Sequence, residues 1–269
     1  MSFFLRPVLK KLFQARENQD TELVKPFLDH LEDLRWTLIK MVATLAAAMM
    51  LSFGFRFQLM QVIRSPLDAI GNIPLKVLSP ADSVSVSLSL AFYAGIVLSF
   101  PVLLYFLAGF ILPALNAKEK ALVLPGILVS FLLFLAGVLF CFRYILPLTL
   151  NWLYYDAKHM GFQPDWTVSL YFSFASQFIL IFGLAFEMPV VVIALVKLGL
   201  LQASTLRSTR AYAVVIILVL SAFIAPSPDP VTLFIVAGPM LLLYEFCIWI
   251  AWYLERRAKR ALMRPTRTE

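Results

Sequence analysis

Charge is scarce in this chain. Only 14% of its 269 residues are Asp, Glu, Lys or Arg, while 61% are hydrophobic. A water-soluble domain needs more polar surface than that to cover itself, and the mean hydropathy of +0.85 agrees. The chain reads as a polytopic membrane protein. Histidine is almost missing, with His30 and His159 alone. They fall on opposite sides of the expected membrane, so a metal site would lack ligands. Cysteine is limited to Cys141 and Cys247, one toward the outer end of the third span and one in the inner half of the last. That separation is too great for a disulfide, and packing is their expected role. The chain contains no HExxH, no GxSxG, no glycine-rich phosphate loop and no CxxC pair, so no catalysis and no cofactor are expected. Nor does anything point to nucleic acid. The first 35 residues lack the apolar core of a cleavable signal peptide, because charges recur through them. The first span then serves as its own targeting signal. Residues 4–13, "FLRPVLKKLF", suit either a short basic helix on the membrane surface or a partly ordered tail.

Long apolar runs dominate what is present. Fifteen uncharged residues separate Lys40 from Arg56, and Ser83 to Leu112 and Ala121 to Phe142 are uncharged throughout. Thr167 to Phe186 leads into Glu187 and resumes to Val196; Ala211 to Pro228 and Pro230 to Tyr253 follow, the last broken by Glu245. A helix needs about 20 apolar residues to cross a bilayer, so six spans are expected in an all-α bundle. Barrel strands would alternate apolar and polar residues, and these runs do not. Six spans put both termini on one side. Eighteen of the 23 Lys and Arg fall on that side, leaving Arg56, Arg64, Lys76, Arg143 and Lys158 opposite. The positive-inside rule then makes both termini cytoplasmic. Trp152, Tyr154, Tyr155 and Trp166 flank the outer loop, and Trp36, Trp249 and Trp252 the inner boundary, as aromatic belts do.

Polar residues inside the spans are the candidates for function. Glu187 in "FGLAFEMPVV" and Glu245 in "LLLYEFCIW" stand where a carboxylate is costly and faces a bundle interior or a wet cavity. Pro189 cannot donate to the carbonyl of Ala185 and bends the helix there. Either a functional carboxylate or a fixed interhelical hydrogen bond satisfies that pattern. The fifth span has only fifteen residues between Arg210 and Pro226, about 22 Å of helix, which suggests local thinning of the bilayer. In "APSPDP" three prolines set a tight turn, and Asp229 is placed to cap the sixth span. Ahead of the first span, "FLDHLEDLRW" carries Asp29, Glu32 and Asp33 at i, i+3 and i+4, one face of a helix. Arg35 points elsewhere on that helix. With Glu119 in the next loop, "LPALNAKEKAL", these acids suit a pair of guanidinium groups, although solvated helix-end acids give the same pattern.

From about Pro26 to Glu255 the sequence resembles the TatC family, the multispanning receptor component of the twin-arginine protein translocase. The motifs run in order: "FLDHLEDLRWTLI", "LSPAD", "GFILPALNAKEK", "FGLAFEMP", "RAY" at 210–212, "APSPDP" and "LLYE". The resemblance implies six spans in a cupped bundle of the cytoplasmic (inner) membrane, binding signal peptides with two consecutive arginines. It matches Asp33 to the family's opening glutamate, Arg35 to its arginine, Phe110 to the aromatic ahead of P-A-L and Glu119 to the loop glutamate. Glu187 matches a carboxylate on the concave face; Pro66, Asp229 and Glu245 match recurrent positions of more structural character. Asp33 is one methylene shorter than the family's residue, so Glu32 or Asp29 would share its work. Where the family often shows an aromatic pair and a lysine, this chain has Val84, Ser85 and Ser89. The implied partners are single-span TatA and TatB type subunits in an oligomeric complex, and folded cargo, with energy from the proton-motive force. Residues 1–25 form an extension outside the match, 26–255 the membrane domain and 256–269 a basic tail. The rival reading is a secondary transporter of a small cationic solute using Glu187, for which the sequence shows no convincing internal repeat.

Overall fold

A computed structural model describes residues 5–71, 73–111, 123–227 and 229–262, with side chains described from His30 to Arg257 apart from residue 111. The described elements are α1 (Leu5–Gly54), α2 (Arg56–Asp68), β1 (Leu75–Lys76), α3 (Asp82–Ile111), α4 (Val123–Phe140), a π-helical turn (Cys141–Ile145) and α5 (Leu146–His159). They continue with β2 (Trp166–Thr167), α6 (Val168–Ala185), α7 (Met188–Lys197), α8 (Ala203–Ser208), α9 (Arg210–Ile224) and α10 (Pro230–Leu262). Five stretches are long and apolar enough to cross a membrane: His30–Gly54, Asp82–Phe110, Val123–His159, Val168–Lys197 and Pro230–Arg257. Arg210–Ile224 is a shorter apolar helix, at the place where the sequence predicts a short fifth span.

Three local features shape the bundle. First, α1 runs unbroken from Leu5 into the first span, so the acidic segment 27–36 belongs to the same helix. Second, the crossing that begins at α4 does not end where its apolar run ends. The amide of Leu146 reaches back to the Cys141 carbonyl, and the helix continues through the π turn as α5 to His159. Arg143 interrupts hydropathy but donates its backbone bond like any residue, so Trp152, Tyr154 and Tyr155 stand on helix on one side of the outer turn and Trp166 stands at β2 on the other. Third, the crossing of α6 and α7 is broken at Phe186–Glu187. Glu187 N bonds Leu184 O at 3.1 Å, a tightened turn, and Pro189 enters at the start of α7. A proline there costs no helical bond, because the first amides of a helix lack partners.

Small residues let the helices approach, the usual device where lipid supplies no hydrophobic drive. A Cβ on Gly137 of α4 would meet Phe182 O at 2.7 Å, and one on Gly183 of α6 would meet Phe134 Cε2 at 2.7 Å. Around that crossing Phe100 stacks on Phe134, and Phe172, Phe178 and Phe182 are buried. A second cluster gathers Val192, Ile217, Tyr244 and Ile248 from α7, α9 and α10. Cys141 sits in the first cluster and Cys247 in the second, both free and buried. At the end of the bundle where α1 stops, β1 and β2 form a parallel pair with Leu75 opposite Trp166. Lys76 Nζ meets Asp165 Oδ2 at 2.5 Å beside it, and Tyr171 donates to Ile63 O at 2.7 Å.

Candidate binding site at the end of helices α1 and α3

Helices α1 and α3 lie side by side, and near the N-terminal part of the first span they leave a cavity of about 360 Å³ between them. From α1 come Asp33, Trp36, Thr37 and Lys40, at spacings of three, one and three that keep them on one face; from α3 come Tyr105, Phe106, Gly109 and Phe110. Gly109 carries no side chain, so the floor stays open. His30, one turn before Asp33, stacks its ring on Phe110 with centroids 4.5 Å apart and planes 13° apart. The stack fixes Phe110 against the entrance. A carboxylate beside four aromatic rings accepts the N–H fork of a guanidinium while a ring face takes its plane. Lys40, two turns along α1 from Asp33, puts a fixed positive charge at the other end of the cavity.

The expected site residues divide accordingly. Asp33 and Phe110 are brought together. Glu32 and Arg35 are exposed on the same helix but do not line the cavity. Asp29 is helical, its side chain outside the described ones, and Glu119 lies outside the described residues altogether. Sequence reasoning gave no binding role to His30, Trp36, Lys40 or Tyr105, and read Trp36 only as part of the inner aromatic belt. The i+3 spacing from His30 to Asp33 to Trp36 is the signal that could have found two of them.

Glu187 occupies a different place, at the α6–α7 break. Its carboxylate accepts a hydrogen bond from Ser130 of α4 through Oε2, whereas Oε1 is buried with no partner among the described residues. Glu245 lies at the level of Arg210, and the two pair at 2.7 Å between Nη2 and Oε2. The reason is length. Arg210 stands 14 residues before the end of α9 and Glu245 15 residues after the start of α10, so two antiparallel helices leaving one tight turn bring them to the same height, about 22 Å from it. Pro66 is buried in α2. Asp229 caps α10 through Oδ1, accepting from Val231 N at 3.0 Å and Thr232 N at 2.9 Å, and Trp152 Nε1 donates to the same oxygen at 3.1 Å. Burial raises the Asp229 carboxyl, but the bonds from Thr232, Ser227 and Trp152 outweigh it and hold the group below the ordinary aspartate range.

A family model described as Sec-independent protein translocase protein (TatC) matches residues 29–239, a segment that contains Asp33, Phe110, Glu187 and Asp229 and stops short of Glu245. The Sec-independent protein translocase protein TatC of Akkermansia muciniphila is 47% identical over 193 residues, 71% of this chain but only 56% of that protein. The match therefore spans little more than half of that relative. The TatC protein of Aquifex aeolicus is 34% identical over 240 residues, 87% of this chain and 98% of its own length. That of Deinococcus radiodurans is 34% identical over 246 residues, 89% and 90% of the two chains. A crystal structure of the twin arginine translocase receptor TatC superposes with a TM-score of 0.77 at 34% identity, covering 83% of this chain and 98% of the other. With the same helices in the same order and identity along most of its length, the chain belongs to the TatC family.

Proposed function

We propose that this chain is the receptor and core component of a twin-arginine translocase, binding signal peptides that carry two consecutive arginines and organising export of the folded proteins behind them. The observation that carries the reading is the cavity joining Asp33 to the rings of Trp36, Tyr105 and His30-stacked Phe110. Asp33 takes one guanidinium, helped by Glu32 and Asp29, and Glu119 takes the other. Arg35 belongs to the same motif but stands off the cavity. Glu187 offers its unpartnered oxygen to a polar group of a docked partner, of TatA or TatB type, while Pro66, Asp229 and Glu245 hold the frame. The protein works in the cytoplasmic membrane with both termini in the cytoplasm, within an oligomeric complex, and it moves cargo without covalent chemistry. Membership in the TatC family leaves the solute-transporter reading without support.

The test is photo-crosslinking from position 37, inside the cavity, to a twin-arginine signal peptide beside its twin-lysine counterpart. A guanidinium–carboxylate contact in a partly wet site contributes about 1.5–3 kcal/mol. Asp33→Asn and Phe110→Ala should each weaken twin-arginine crosslinking about ten-fold or more, at about 1.4 kcal/mol per decade. Glu119→Lys should do worse than Glu119→Gln. An unchanged preference for arginine in both Asp33→Asn and Glu119→Lys would reduce these acids to a solvated helix end.

A further inference from the structure

We propose that Lys40 is a specificity-determining residue of the Asp33 cavity: it keeps the cavity to a single cation, so that a peptide is accepted with its two arginines adjacent but not three residues apart. The inference rests on the reading of that cavity as an arginine site and adds what the site refuses. The lining holds one acid and one base, Asp33 and Lys40, both from α1, while α3 supplies rings and Gly109 but no charge. Positions 33 and 40 lie two turns apart on one face of the helix, about 10.5 Å along its axis. Lys40 forms neither an ion pair nor a cation–ring contact among the described residues. No carboxylate of the described chain cancels its charge.

The spacing of the two charges sets the spacing that is refused. An extended peptide rises about 3.3 Å per residue, so residues three apart are separated by about 10 Å. Arginines at that spacing match the length from Asp33 to Lys40, whichever way the peptide runs. One guanidinium then meets a carboxylate and the other an ammonium. The two cations lie closer than a Debye length of about 8 Å at physiological salt, so screening does not remove their repulsion. Consecutive arginines behave otherwise. Their side chains leave an extended backbone on opposite faces, so when one lies against Asp33 the other points out of the cavity and away from Lys40. The aromatic walls cannot make this distinction, because a ring face attracts a cation wherever along the cavity it sits. It is made by the order of charge along α1. The same order welcomes a carboxylate three residues from the bound arginine.

The experiment uses membranes holding the full-length chain with a photo-crosslinker at position 37, a labelled twin-arginine signal peptide, and unlabelled competitors that differ only in pattern: a single arginine, R-x-x-R and R-x-x-E. Against the unaltered chain, R-x-x-R should compete no better than the single arginine, and R-x-x-E about two- to five-fold better, the size of one ion pair in a partly wet site. Lys40→Glu should reverse the order, R-x-x-R gaining by a similar factor and R-x-x-E falling below the single arginine. Lys40→Gln should bring the two spaced peptides level, and Lys40→Arg should keep the original order. A damaged fold weakens all competitors together and cannot reverse them. An advantage of R-x-x-R over the single arginine in the unaltered chain would overturn the proposal, and so would an unchanged order in both Lys40→Glu and Lys40→Gln. Failure of the arginine reading shows separately, as equal crosslinking of the labelled peptide in the unaltered chain and in Asp33→Asn, and the filter falls with it. Crosslinking that depends on Asp33, with an order indifferent to Lys40, leaves the arginine site standing and removes the filter alone.

Discussion

A carboxylate between membrane helices is stable only as long as neighbouring dipoles serve it, and Glu187 is served on one oxygen alone. Ser130 donates to Oε2, and Oε1 waits. In Glu187→Gln the amide oxygen still accepts from Ser130, so the variant should fold with its thermal midpoint little changed, yet transport of a twin-arginine substrate should fall. Glu187→Leu strands the Ser130 hydroxyl, a loss of about 1–3 kcal/mol, and its midpoint in detergent should drop. Full transport by both variants would make Glu187 a packing residue. Glu245 behaves otherwise. It pairs with Arg210, the first residue of α9, so the pair sits at a helix end rather than at mid-depth; a pair at such a wet boundary contributes about 0–1 kcal/mol, and Glu245→Gln should leave the midpoint nearly unmoved. The depth of Glu187 is readable from the run around it, because hydropathy reports burial. Its partner is not: a lone serine in "ILVSFLLFL" says nothing of which helix face it occupies.

Among the elements, the crossing of α4 and α6 depends on two absent side chains. At Gly137 the obstacle to a methyl group is the Phe182 carbonyl and the Phe186 side chain, and at Gly183 it is the Phe134 ring and a methyl of Val138. Backbone cannot step aside cheaply, so Gly137→Ala should cost about 1–3 kcal/mol by overpacking, read as a lower thermal midpoint. Gly126→Ala, on the same helix with nothing near the new methyl, should be harmless; equal effects of the two would refute a packing role. At the start of α10, Asp229 has its carboxyl held low in the folded state. Its contribution is therefore complete above the unfolded aspartate value of about 4 and is lost as pH falls through the lower folded value. Acid titration should depress the midpoint of the unaltered chain more than that of Asp229→Asn, and Asp229→Ala should cost about 1 kcal/mol near neutral pH by loss of the cap. Proline flanks and an acid made this cap readable in "APSPDP". The continuation of α4 into α5 was not readable, because charge ends an apolar run without interrupting hydrogen bonds.

Across the whole molecule the distribution of charge gives the proposed orientation its physical basis. With six crossings alternating in direction, the segment with Lys118 and Lys120, the segment 197–210 and the tail from Arg256 fall on the side of the N-terminus, and 18 of the 23 Lys and Arg belong to that side. Moving such segments across an energised membrane costs more than moving the five cations at the other end, so the proposed orientation puts the basic side in the cytoplasm. In that proposed orientation the Asp33 site faces the compartment where signal peptides are made. A sequence pattern could place that end but not the cavity at it, since the cavity is walled by helices from distant parts of the chain. Orientation itself can be measured residue by residue. Cys141 and Cys247 are buried and can be replaced by serine to leave a silent background. A cysteine at position 160, in an exposed turn after α5, should then react with an impermeant maleimide in intact cells; one at exposed position 200, between α7 and α8, should react only after the membrane is opened. Labelling of position 200 from outside, with position 160 protected, would invert the molecule and place its acidic site beyond the reach of any cytoplasmic peptide.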